Sequence, residues 1–136
     1  MNVEEQLLRD EGCRFHPYKD TRGHLTIGIG RCLDTKGISA DEARYLFAND
    51  LRDVRADLVG ALPWYAALDE ARRGVVENMA FNLGLNGLLG FRRMLQALRA
   101  RDYATAAREM RDSQWYTQVG ARAERLALQM EDGQWR

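Results

Sequence analysis

The chain has 136 residues, enough for one domain with a real hydrophobic core. Its twenty basic and twenty acidic residues cancel, so no global field steers it to nucleic acid or to an anionic membrane. No apolar run approaches the ~18 residues of a membrane span. The opening Met1-Asn2-Val3-Glu4-Glu5-Gln6 is acidic and lacks an apolar core, so neither membrane insertion nor a secretion signal is expected.

The balanced charge is unevenly spread. From Glu70 onward eleven arginines face eight acids, whereas residues 1–69 carry nine basic and twelve acidic groups. Solvated helix faces account for this bias; attraction to an anionic polymer is the functional alternative.

In chain order, Val3 to Asp10 reads as a short helix with Val3, Leu7 and Leu8 at helical spacing, and Gly12 is placed to stop it. Phe15 to Leu33 reads as strand and turn. Pro17 excludes a helix interior, and Thr21-Arg22-Gly23-His24 is a turn signal between extended runs. Asp20 and Thr26 flank Gly23 symmetrically, so a hairpin centred there sets them nearly opposite on one face. Gly28-Ile29-Gly30 reads as a second reversal that lets substrate or backbone approach closely. It lacks the third glycine and following helix of a dinucleotide-binding loop.

Ser39 and Glu42 form a capping box, and Ala43, Leu46, Phe47, Leu51, Val54, Leu58 and Ala61 continue a helical stripe to Pro63. Shorter helices follow: from an Asp69 cap to Gly84, then Phe91 to Ala100, Tyr103 to Arg111 and Ala121 to Met130. Gly84, Gly87 and Gly90 are read as a loop. The expected architecture is α+β and mostly helical: a small β-hairpin lobe over about 12–38, a long helix, and an all-helical lobe. That second lobe covers about 60–136 plus the N-terminal helix, within a single domain of residues 1–136. A cleft between two lobes would suit a chain-like ligand.

The densest polar chemistry lies at the start. Glu11 at a helix end and Asp20 on the hairpin offer two carboxylates, the set needed to cleave a glycosidic bond. If apolar side chains crowd Glu11, desolvation and the helix C-terminus would favour its protonated form; otherwise it is an exposed glutamate at a fraying end. Asp20 is equally readable as a turn residue bonding its own backbone, and Thr26 as an ordinary strand threonine. Asn82, beside Phe81, suits a sugar N-acetyl group or a helix C-cap, while Trp115-Tyr116 reads as a core anchor. Arg122 and Arg125 are surface residues, or one reaches an acid. Cys13 and Cys32 are expected as free thiols; with His16 and His24 their spacing matches no zinc pattern, so no metal is expected.

These motifs resemble the phage T4-type lysozymes, a family of glycoside hydrolases. The resemblance runs nearly end to end. It is carried by Asp10-Glu11-Gly12, Tyr18-Lys19-Asp20-Thr21 with Gly23, Thr26-Ile27-Gly28-Ile29-Gly30, Asp41-Glu42-Ala43, Phe81 with Gly84, Trp115-Tyr116, and Arg122-Ala123 with Arg125. It implies hydrolysis of the β-1,4 bond between N-acetylmuramic acid and N-acetylglucosamine in peptidoglycan, inverting and without a cofactor. Glu11 would be the general acid, Asp20 would position or activate water, and Thr26 would help hold that water. Phe81, Asn82 and Gly30 would line the glycan site, with Asp10 and Arg122 as a supporting pair. A monomer made in a host cytoplasm and reaching the wall through a holin is the expected setting. Lytic transglycosylase and non-catalytic glycan-binding module are the alternatives; the water-handling pair Asp20 and Thr26 speaks against the first. Three departures stand out: Arg31 where the family usually has histidine, a short segment between Leu33 and Ser39, and the balanced charge.

Overall fold

A computed structural model describes residues 1–136, which divide into two compact units, Met1–Phe47 and Ala48–Arg136. The first unit opens with helix α1 (Val3–Glu11), whose Asn2 side chain accepts from the Glu5 N–H while Glu5 reaches back to the Asn2 N–H. The two contacts form a capping box. Gly12 ends the helix at φ +71°, as its position predicts. The expected apolar stripe of α1 is not a buried face: Val3, Leu7 and Leu8 are all exposed.

Three antiparallel strands follow in the order β1 (Arg14–Lys19), β2 (Leu25–Gly28), β3 (Arg31–Cys32). Pro17 is tolerated because β1 is an edge strand and its register shifts between Arg14 and Tyr18, so the missing N–H breaks no regular ladder. The Gly28-Ile29-Gly30 reversal is present, with both glycines at positive φ and Ile27 paired to Arg31.

Helix α2 (Ala40–Ala61) starts in the first unit and ends in the second, about 33 Å in all. Its predicted stripe is buried only at Leu58; Leu46 and Phe47 are more than half exposed. The first unit has too little mass to cover them. N-terminal helix α1 also belongs to this first unit, whereas the sequence grouped it with the helical lobe.

The second unit continues through a 3-10 turn (Pro63–Ala67), α3 (Glu70–Leu89), α4 (Arg92–Arg99), α5 (Tyr103–Arg111), α6 (Gln114–Val119) and α7 (Ala121–Asp132). Asp69 caps α3 as expected. Gly84 breaks that helix at φ +77°, but residues 85–89 resume it rather than forming the expected loop. Val75, Val76 and Met79 of α3, Leu98 of α4, Met110 of α5 and Met130 of α7 are fully buried together. Arg72 ties the ends of this bundle: it donates to the carbonyls of Met130 and Glu131 and lies 3.5 Å from the Tyr103 ring centroid. No helix is long and apolar enough to cross a membrane.

Candidate active site

The hairpin builds its polar site from its own backbone. Asp20 Oδ1 accepts hydrogen bonds from the N–H groups of Arg22 and His24, each at 2.8 Å. This is the turn role that the sequence offered as the plain alternative, and it fixes the carboxylate's direction. The His24 N–H first, then that of Arg22, holds the Asp20 carboxyl below its ordinary value against an opposing effect of burial. Asp20 is therefore anionic at neutral pH, the form that can position water or take its proton. Its second oxygen, Oδ2, lies 3.8 Å from His24 Nδ1 and has no hydrogen bond.

The expected pairing of Asp20 with Thr26 is corrected by two residues. Thr26 pairs with Tyr18, and the Asp20 N–H donates to the His24 carbonyl at 2.9 Å, so His24 stands across from Asp20. The turn centres on Arg22 because the Asp20 side chain captures the N–H groups of residues 22 and 24. A slip of two preserves the face, so Thr26 remains a diagonal neighbour of Asp20. Thr26 is the only buried residue of the first unit, at 4% exposure, and its Oγ1 donates to the His24 carbonyl at 3.0 Å. His24 thus touches both Asp20 and Thr26.

Glu11 stands at the last position of α1 and is exposed, so the crowding that would desolvate it is absent. Its carboxylate has no hydrogen-bond or ion-pair partner. It lies instead against the bare face of Gly30: a methyl group built there would meet Glu11 Oε2 at 2.8 Å and Cδ at 2.9 Å. The group that approaches this glycine is the Glu11 carboxylate rather than the substrate or backbone expected there.

Arg31 has its own ion-pair partner. Its guanidinium donates to both oxygens of Glu42, at 2.9 and 2.6 Å, and to the Gly37 carbonyl at 3.1 Å. Glu42 also completes the predicted capping box with Ser39. Arg31 first, then the Ser39 N–H and hydroxyl, lower the Glu42 carboxyl to about 2. The short segment after β3 is thereby clasped to the start of α2. Asp34 adds a further tie by accepting from the Leu25 N–H at 2.7 Å.

The remaining candidates lie in the second unit or have local partners. Phe81 and Asn82 are both exposed on α3. Asn82 is no C-cap; its Oδ1 accepts from the Trp115 indole N–H at 3.0 Å, which leaves its amide nitrogen for a ligand. Trp115 is buried and meets Phe91 edge to face, the core anchor expected of it. Asp10 accepts from Arg9 at 2.9 Å, and Arg122 donates to Asn78 from Nε and a terminal nitrogen. Cys13 and Cys32 are free thiols, and no three His, Cys, Asp or Glu side chains cluster as a metal would need.

Comparison with known proteins gives a consistent result. Residues 9–129 match the family model described as phage lysozyme. The chain is 34% identical to the pre-baseplate central spike protein Gp5 of Enterobacteria phage T4, with 94% of this chain aligned to 27% of that protein. It is 30% identical to a probable T4-type lysozyme of Dictyostelium discoideum, over 97% of this chain and 95% of the relative. A peptidoglycan hydrolase, gp36 of Pseudomonas phage phiKMV, is 27% identical over 95% of this chain and 15% of its own length. The chain thus spans nearly all of one relative and a minor part of the two phage proteins. With a matching family model over residues 9–129, this chain belongs to the phage lysozyme family of glycoside hydrolases.

Proposed function

We propose that this domain hydrolyses the β-1,4 bond between N-acetylmuramic acid and N-acetylglucosamine in peptidoglycan, with inversion at the anomeric carbon. Water attacks that carbon as its proton passes to Asp20 Oδ2, and Glu11 protonates the departing glycosidic oxygen. Thr26 helps hold the water, and Gly30, Phe81 and Asn82 contact the glycan. A bound sugar over Glu11 would exclude the solvent that the exposed side chain now meets.

The observation that carries this reading is the asymmetry of the two carboxylates. Asp20 is held ionised, with one oxygen anchored in its turn and the other clear of hydrogen bonds, while Glu11 has no partner competing for its proton. The two carboxylates thus stand in different surroundings, which fits Asp20 as the group that handles water and leaves Glu11 as the proton donor.

Host lysis is the first biological setting, with the domain acting on the wall from a host cytoplasm once a holin opens the membrane. Similarity to part of a phage spike protein favours a second, in which the domain opens the wall from a virion.

The deciding measurement is turbidity loss of outer-membrane-permeabilised Gram-negative cells with wild type and Glu11→Gln. The amide cannot donate the proton, so activity should fall about 10²–10⁴-fold. Equal clearing by both proteins would remove Glu11 as the acid, and anhydro-sugar products would replace hydrolysis by transglycosylation.

A further inference from the structure

Building on the proposed assignment of Asp20 to water, we infer that His24 is a positioning residue that sets the acidic limit of activity by pairing with the free oxygen of Asp20. Four contacts converge on this residue. Its N–H donates to Asp20 Oδ1 at 2.8 Å, and its carbonyl accepts from the Asp20 N–H at 2.9 Å and from Thr26 Oγ1 at 3.0 Å. Its Nδ1 faces Asp20 Oδ2 at 3.8 Å. The backbone of His24 therefore holds both members of the water-handling pair, and its ring faces the one carboxylate oxygen that the turn leaves unbonded.

That placement gives the imidazole a chemical consequence. A neutral ring leaves Oδ2 able to accept the proton of attacking water. A protonated ring carries an N–H and a positive charge beside Oδ2, so it competes for that oxygen and weakens it as a base. The other charged groups around the turn are Arg22 within it, Lys19 on β1 paired with Leu25, and Asp34, which bonds the Leu25 N–H from beyond β3.

Two readouts test this, on the intact chain. The first is the pH profile of kcat/KM on purified peptidoglycan for wild type, His24→Gln and His24→Asn, each normalised to its own plateau. Both variants retain the backbone contacts and remove the proton. The wild-type profile should fall as pH drops through the imidazole range, and both variants should carry the midpoint of that limb at least one pH unit lower. The second is the NMR titration of the imidazole in wild type and Asp20→Asn. The chain has two histidines, so exposed His16 is the internal control. Neutralising Asp20 should move the His24 midpoint to lower pH and leave His16 in place.

Identical acid limbs in wild type and both variants would overturn the inference, as would a His24 midpoint indifferent to Asp20. If none of the proteins cleaves peptidoglycan, the lysozyme reading itself fails. The NMR titration still decides, independently, whether the two side chains are coupled.

Discussion

The two units of this chain are held together by different physics. Every buried apolar side chain lies in Ala48–Arg136, whereas Met1–Phe47 buries only Thr26. The helical unit is organised by burial, about 1.5–3 kcal/mol for each large apolar side chain removed from water. The sheet-bearing unit is organised by directional contacts instead: the Asp20 turn, the Arg31–Glu42 clasp with its capping box, and the Asp34 tie. A unit built this way fixes a few polar atoms with precision but stores little stability. Both proposed catalytic carboxylates lie in it.

That contrast predicts unequal responses to substitution. Met110→Ala, in the buried helical core, should cost about 2–5 kcal/mol in chemical denaturation. Leu46→Ala, a truncation of similar size at a half-exposed site of the first unit, should stay within about 0.5 kcal/mol. Equal losses would mean that the first unit draws its stability from apolar packing after all.

Gly30→Ala separates activity from stability. Its methyl group meets the free end of Glu11, a flexible side chain that can swing aside at small cost, and the φ of +69° adds only about 1–2 kcal/mol of backbone strain. The displaced acid should lower kcat on the order of 10²-fold. A variant with full kcat would show that the proximity of Gly30 and Glu11 has no catalytic consequence.

The smallest effect is the pH dependence of the Arg31–Glu42 clasp. Glu42 titrates at about 2 in the folded chain against an ordinary 4.5, a depressed value. Its contribution to stability is therefore present above about 4.5 and lost as pH falls through about 2. Following the amide signals of Gly37 and Ser39 by NMR over that range should show the clasp loosening in wild type. Arg31→Ala, which removes the first cause of the shift, should flatten most of the dependence; an unchanged titration would assign it to Ser39 alone.

Local patterns in the sequence determined much of this protein. The Ser39–Glu42 box, the Asp69 cap, the Gly28 and Gly30 reversal and the helix over Tyr103 to Arg111 depend on bonds within a few residues, so the sequence specifies them directly. An ordered set of motifs, from Asp10-Glu11-Gly12 to Arg122-Ala123 with Arg125, carried the resemblance to the family. Tertiary structure decided what periodicity could not. An apolar stripe on α1 or α2 becomes core only if enough chain covers it, and the first unit has too little. The hairpin register followed the hydrogen bonds of the Asp20 carboxylate rather than the symmetry of the glycine, which brought His24 to face it. Arg31 found Glu42 eleven residues away, and Asn82 found Trp115 across thirty-three. Such pairings depend on how distant segments meet, and no local propensity encodes that meeting.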